Sequence, residues 1–491
     1  MRGRGERSVV AVCCWAVVLV ALLPGLVLQA PGVRPGAALA VQCVVVAHTG
    51  GALTRVLTAT SVRLVALGFW LFTYVWLGLA PLAMIATDTY PLRYRAGAST
   101  TLAAAVLTEL GILAYCAGAA FAAARADRPS LVLEPVLSRR LAPVPVILLC
   151  GLALALAVVL IPRAGGLVPF FTSRQAMRDE SATADPLHRL GVWVLAVPAF
   201  WALVGLVHLP LRRTGDRLLR SLRRLLLPLL LALNVVVNNP ISKPRFWAGT
   251  VLLVLLFSVP RFNRPRAFRL TAAAVTTVVL FAFPYSDYFR YNEREDLTVV
   301  GLTEQFSTSM DYDAFQQTQT GIDYVRDHGI SPASVLGVPL FAVPRSMWPD
   351  KPEATGIVLA QYAGYDFQNL SAPLWIESYL WGGVPAVVVL LGLFGAAGRR
   401  MDDIRERLRA GPATLAVLLV PGFAFYQIIL LRGSLIAVVG PLALLLLLPL
   451  FITTPAGRSS RSPSSALSRA TAVPAPSPGR GGTRDQLHPL R

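Results

Sequence analysis

Apolar residues gather along this chain in twelve stretches, near 9–29, 36–47, 64–86, 98–124, 144–161, 190–209, 225–237, 246–260, 269–285, 374–397, 412–431 and 434–453. A helix needs about 20 residues to cross a hydrocarbon core of about 30 Å, so the longer stretches predict membrane spans. The shorter ones predict helices that run into flanking polar residues, tilt, or break inside a bundle. Arg2, Arg4 and Arg7 precede the first stretch as in a secretory signal. That stretch is long, lacks a convincing A-x-A site and is followed by further spans, so it reads as an uncleaved helix. Residues 286–373 form a long polar interval between spans, and the segment from 455, rich in Ser, Pro, Gly and Arg, has too little apolar content to fold alone. The expected organisation is a transmembrane helical domain over 1–454 with a large loop at 286–373, then a disordered tail over 455–491.

Composition agrees with this pattern: 55% of residues are hydrophobic and 14% charged, which describes an all-α polytopic membrane protein. Charge orients it. Arg212, Arg213, Arg217, Arg220, Arg223 and Arg224 share one loop, Arg261, Arg264, Arg266 and Arg269 a second, and Arg399, Arg400, Arg405, Arg407 and Arg409 a third. Over all loops, about 30 basic residues fall on one side and about 15 on the other, which puts both termini in the cytoplasm and 286–373 outside the plasma membrane. The net charge of +19 is thereby mostly topogenic, which speaks against nucleic-acid binding. Cys13, Cys14, Cys43, Cys116 and Cys150 all lie in apolar runs and read as buried small hydrophobes rather than disulfide partners.

Lys243 and Lys351 are the two lysines among 45 basic residues, and both precede proline in segments expected outside. An ammonium is a compact phosphate partner, and arginine adds a planar fork. Within the loop, Met310-Asp311-Tyr312-Asp313-Ala314-Phe315 leads into a polar helical stretch ending at Gly329, a C-cap, with Pro332 as a stop. Residues 335–344 are apolar but too short to span, which suggests an interfacial or re-entrant piece. The run Pro344-Arg345-Ser346-Met347-Trp348-Pro349-Asp350-Lys351-Pro352 follows.

In this order, with Gly356, Glu377-Ser378-Tyr379 and Gly382-Gly383, the chain resembles the bacterial O-antigen and exopolysaccharide repeat-unit polymerases (Wzy-type). Asn238-Asn239-Pro240 with Arg245-Phe246, the 69–81 span and Arg432-Gly433 extend the likeness over residues 60–440, and the 344–352 run is its most specific part. The resemblance implies a C-type glycosyltransferase fold whose site lies at the outer membrane–water boundary. It further implies transfer of a growing glycan from undecaprenyl pyrophosphate to a new lipid-linked repeat unit, with a chain-length regulator and a flippase as partners. Arg290 with Gly301 and Arg345 with Gly356 also fit an Arg-x10-Gly pattern described for some members.

The chemistry calls for cations where negative charge grows on a departing diphosphate, and for a carboxylate to take the acceptor hydroxyl's proton. Arg345 and Lys351 are the leading candidates for the first task; Arg245, Arg290, Arg432 and Lys243 follow, although arginines at this depth also serve as interface anchors or headgroup ligands. Glu377, at the mouth of a span, leads Asp311, Asp313 and His328 for the second. Asp313 and Trp348 complete the expected substrate contacts, Trp348 being equally suited to anchoring at the interface. Asp311-Tyr312-Asp313 imitates the metal-holding D-x-D motif, yet a lipid-linked donor needs no nucleotide, so no metal or cofactor is expected. Glu109, deep in the fourth span, has no partner apparent in the sequence. An O-antigen ligase shares the donor and geometry. A secondary transporter or glycan flippase is the more distant rival, for which clear inverted repeats are lacking.

Overall fold

The computed structural model describes residues 8–171, 186–209, 217–283, 285, 300–368, 370–411 and 413–455. Among the described residues, nine helices longer than two turns precede the long polar interval: α1 (Val9–Leu28), α2 (Ala37–Leu57), α3 (Leu64–Thr87), α4 (Ala98–Ala124), α5 (Pro143–Arg163), α6 (Pro186–His208), α7 (Arg217–Val237), α8 (Arg245–Ser258) and α9 (Pro265–Ala282), with a single short turn of α-helix at Leu133–Leu137. Within the interval lie α10 (Leu302–Thr308), α11 (Ala314–His328) and α12 (Thr355–Tyr362), and after it α13 (Leu374–Leu408, broken by non-helical backbone at Gly382 and Gly383), α14 (Leu415–Arg432) and α15 (Leu435–Phe451). Among the described residues the strands are Arg140–Leu141 and Thr453–Thr454, paired antiparallel.

Eight of these helices, α1 to α5, α9, α13 and α14, are long and apolar enough to cross a membrane; α8, α15 and Trp193–His208 within α6 are shorter apolar helices. Leu148, Val158, Leu252, Val389 and Leu393 point outward from them, an apolar surface that only lipid would cover. The chain is therefore an all-α polytopic membrane protein. Each of the twelve expected stretches overlaps a helix, with three limits moved most; α13 continues to Leu408, so Arg399, Arg400, Arg405 and Arg407 sit on a helix rather than in a loop. Helix α2 continues to Leu57 because its polar second half faces inward, with Thr49 and Thr54 bonding back to Val45 and Gly50 carbonyls. Helix α7 starts at Arg217, so Arg217, Arg220, Arg223 and Arg224 sit on a helix rather than in a loop.

The thiols are less buried than their apolar context suggests. Cys150 is buried and Cys116 half-buried, while Cys13, Cys14 and Cys43 lie on the exposed apolar surface. Glu109 also gains a partner: its Oε1 lies 2.6 Å from Nδ1 of His48 on α2.

One end of the bundle is built from arginine contacts. Arg400 donates to the carbonyls of Arg125 and Arg128, Arg405 to Oδ1 of Asn263 at 2.5 Å, and Asp403 pairs with Arg63 and Arg399. Here the buried Asp402 of α13 accepts the Val65 and Ala66 N–H groups, both at 3.1 Å, and so caps α3 from another helix. Asp402→Ala is expected to cost about 1–3 kcal/mol by stranding these two donors. A lowered midpoint in thermal unfolding of the detergent-solubilised protein, partly restored by Asp402→Asn, checks this.

The opposite end carries the polar interval, which folds back into the bundle. Residues 314–321 of α11 are all buried despite being largely polar; loop 92–94 and α4 meet the hydrogen bonds of Gln316 and Gln319, Thr318 and Thr320 bond back along α11, and the Gln317 amide has no partner among the described residues. Gln316 both donates to and accepts from the Leu92 backbone, Gln319 donates to Thr101, and Asp323 accepts from Thr100 and Tyr94. Gly329 takes φ 80° and closes α11 with its N–H on the Val325 carbonyl, as its C-cap position demands.

Candidate functional site

A cavity of about 850 Å³ opens at this second end, between the starts of α8 and α15, the end of α14 and the turn before α11. Its polar lining comes chiefly from Arg245, Asp311, Ser371, Arg432 and Ser434. Two arginine–aspartate pairs organise it. Nη2 of Arg245 lies 2.5 Å from Oδ2 of Asp311, and Nη2 of Arg432 lies 3.3 Å from Oδ1 of Asp313. Asp313 itself is buried: its carboxylate also accepts the Ser371 N–H at 3.0 Å and the Ser371 hydroxyl.

The local sequence explains the placement. Arg432 is the last residue of α14, where the helix dipole favours a cation. Arg245 is the first residue of α8, where the dipole opposes one, and Asp311 offsets that repulsion. The turn bearing Asp311 rests on an aromatic box. Trp76 Nε1 donates to the Asp311 carbonyl at 2.9 Å, and the Trp76 ring packs against Phe246, Phe283 and Tyr312. Burial pushes the Tyr312 phenol up, so it stays neutral. Trp76 lies in a π-helical segment, Thr73–Leu79, whose Leu77 and Gly78 carbonyls are met by Gln42 Nε2, both at 2.8 Å. Such widened turns free backbone acceptors and re-aim side chains.

Each guanidinium makes contacts beyond its carboxylate, Arg245 Nη1 donating to the Phe283 carbonyl at 3.4 Å. Arg432 Nη2 also reaches the Met310 carbonyl at 3.3 Å, while its Nε is buried with no acceptor. The Arg245 guanidinium lies 4.6 Å from the Phe283 ring centre and that of Arg432 5.7 Å from Phe246, which holds both planes against apolar faces. The cavity thus presents two braced cations beside Asp311 at the end of an apolar bundle, an arrangement suited to an anion carried on a lipid.

The sequence-expected residues divide around it. Arg245, Arg432 and Asp313 are brought together. Lys243 is buried just before α8 with Nζ 5.6 Å from the Trp193 ring, and does not line the cavity. The Asn238-Asn239-Pro240 turn positions it: Asn238 joins α6 to Trp247, and Asn239 Oδ1 accepts from Ile241 and Ser242. Arg290 lies outside the described residues.

Arg345, Lys351 and Trp348 belong to a self-closed loop that borders the cavity without lining it. Lys351 Nζ donates to the Phe341 and Val343 carbonyls at 2.6 and 3.0 Å, and Arg345 Nη1 to the Lys351 carbonyl at 2.8 Å. The loop's own backbone therefore occupies the two cations expected to lead the chemistry, although the Arg345 side chain is otherwise exposed.

Glu377 is likewise withdrawn from the cavity surface. It is 1% exposed, and both carboxylate oxygens accept the Leu435 N–H, at 3.1 and 3.0 Å, beside the Thr355 hydroxyl. It anchors the start of α15 behind the cavity-lining Ser434, whose hydroxyl in turn accepts the Gly356 N–H at 2.7 Å. Glu377→Gln, which keeps an acceptor for the Leu435 N–H, is expected to stay within about 1 kcal/mol of the parent's stability, while Glu377→Ala loses about 1–3 kcal/mol. Melting curves of the purified protein separate these outcomes.

Ser371 and Ser434 had no signal in the sequence, since single serines in loops are common. Asp311 was visible in its acidic pair, but its fixed distance from Arg245 comes from the fold. No protein-family model, curated protein or solved structure matches the chain.

Proposed function

We propose that the chain is a membrane glycosyltransferase that polymerises oligosaccharide repeat units carried on undecaprenyl diphosphate at the outer face of the plasma membrane. In this reading twelve helices cross the bilayer in a C-type glycosyltransferase-like arrangement, and both termini are cytoplasmic. The observation that carries it is the pairing of Arg245 and Arg432 in one cavity at the end of an apolar bundle, away from the arginine-rich loops.

The donor's diphosphate binds across Arg245 and Arg432, competing with Asp311 for Arg245 and with Asp313 for Arg432. The acceptor hydroxyl attacks the anomeric carbon of the donor glycan. The bond from that carbon to the diphosphate oxygen breaks, the oxygen leaves with the electron pair, and the two guanidiniums stabilise the new charge. Asp311, loosened from Arg245 by the diphosphate, accepts the hydroxyl proton. The exposed apolar side chains Ile330, Val335, Leu336, Leu340 and Met347 hold the bordering loop in the lipid interface, with Arg345 at headgroup depth.

A deletion strain complemented with the Asp311→Asn variant tests the reading through glycan length on gels. Single-repeat glycans with Asp311→Asn and polymer with the wild type are expected. Full-length polymer accumulating on its carrier lipid in the deletion strain would identify a ligase instead, and an unchanged glycan profile would overturn the proposal.

A further inference from the structure

Aromatic side chains continue outward from the cavity in a connected row. Phe367, 42% exposed, lines the cavity and stacks on Tyr365, their ring centres 5.4 Å apart and 17° from parallel. The Arg93 guanidinium lies 5.4 Å from the Tyr365 ring centre, and the Tyr365 hydroxyl accepts the Tyr94 N–H at 3.0 Å. The Tyr94 ring then meets Tyr362 at 6.2 Å, and Tyr362 meets Tyr324 at 5.5 Å and His328 at 5.7 Å. Two carboxylates fix the row by accepting phenol protons: Asp323 from Tyr94 at 2.8 Å and Asp327 from Tyr362 at 2.6 Å. None of these rings belongs to the helices long enough to span a membrane.

We propose that this row is a binding track for the glycan chain, taking several successive sugar residues as they leave the cavity. The proposal rests on the glycosyltransferase reading and adds to it the place where the polymer lies. A pyranose ring has an apolar face of C–H groups and a rim of hydroxyls. It is met by an aromatic face bordered by groups that donate and accept hydrogen bonds. Here the rings alternate with Arg93, Arg326, Asp327, His328 and Gln361, all exposed, which supply such a border. The same charges argue against hydrocarbon as the occupant, since each is costly in a bilayer core. Continuity supplies the direction, because Phe367 belongs to both the cavity wall and the row. A polymer held along several rings stays with the enzyme between additions, so the track sets chain length.

The test uses the full-length protein in lipid nanodiscs. The probes are oligosaccharides of one to four repeat units, freed by mild acid from the parent cell's polysaccharide and so lacking lipid and diphosphate. Saturation-transfer NMR is expected to show aromatic-to-sugar transfer, with affinity rising at least tenfold from one repeat to four. Tyr362→Ala is expected to lose that length dependence, and Tyr362→Phe, which keeps the ring and drops the Asp327 bond, to retain most of it. Should Tyr362→Ala not fold, Asp327→Ala on the exposed end of α11 serves as the second variant, with a smaller loss of the same sign. In cells, Tyr362→Ala is expected to shift polymer to shorter lengths. Absence of transfer in the wild type at every length, or equal length dependence in wild type and variants, overturns the track. A failure of the polymerase reading shows itself separately, as an unchanged glycan profile in the deletion strain.

Discussion

Replacing Arg432 by alanine is expected, on the proposed polymerase reading, to lower polymer formation by 10²–10³-fold, equivalent to about 3–4 kcal/mol of lost transition-state stabilisation. The guanidinium closes the cavity at the end of α14, pairs with Asp313 and keeps an unengaged buried Nε. Its removal takes away a fixed charge and leaves Asp313 buried with Ser371 as its polar neighbour. A buried carboxylate without its cation costs stability in its own right, about 3–5 kcal/mol when a pair is broken. The double variant Arg432→Ala/Asp313→Asn separates the two effects: it is expected to restore folded yield while activity stays down. Arg432→Lys keeps the charge and loses the planar fork, so an intermediate loss is expected. Initial rates at matched amounts of folded protein, judged by size-exclusion profile, check all three.

Gly395→Ala is expected to leave almost no folded protein, a larger effect than most single substitutions produce. Helices α4 and α13 share the most extensive interface in the bundle, and their backbones touch. A Cβ placed on Gly395 would lie 2.1 Å from the Tyr115 carbonyl oxygen, and one on Gly118 1.8 Å from that of Gly392. Both obstacles are backbone, so no side-chain rotation relieves them and the helices must part. Close helix contact of this kind, with no hydrophobic drive between helices in lipid, rests on dispersion between facing surfaces and is lost with separation. Because the same part of α13 carries Asp402, the cap of α3 loosens together with the interface. Gly151→Ala on α5, where an added Cβ meets nothing within 4 Å, is the matched control and is expected to fold normally. Yield of monodisperse protein after solubilisation distinguishes the two.

The helices were legible because apolar runs of this length favour helix in a chain so poor in charge, and eight of them are long and apolar enough to cross a membrane. Their limits at α2, α7 and α13 were not, since inward-facing Thr49 and Thr54 and runs of arginines on a helix both look like loop. The segment 302–328 read as an outer loop because its side chains are polar. Its burial depends on partners in 92–101, far away in sequence, that no local pattern reveals. The same limit governs the site. Arg245 and Arg432 stood out as arginines at the mouths of spans and Arg345 and Lys351 as cations of the long loop, and composition cannot tell a cation facing a cavity from one closing its own loop. Glu377 was singled out as the leading proton acceptor at the mouth of a span; in the fold both its oxygens accept a backbone N–H at the start of α15. Glu109 needed a partner, and it lies on α2 as His48.

The central claim is that Arg245 and Arg432 hold a diphosphate while its sugar departs. Proteoliposomes containing the purified protein, supplied with one repeat unit linked to undecaprenyl through either a diphosphate or a monophosphate, test it directly. Polymer is expected from the diphosphate donor, with little from the monophosphate, and Arg432→Ala should abolish the difference between them. Equal polymer from both donors, or an undiminished rate from the Arg245→Ala/Arg432→Ala double variant, would contradict the claim.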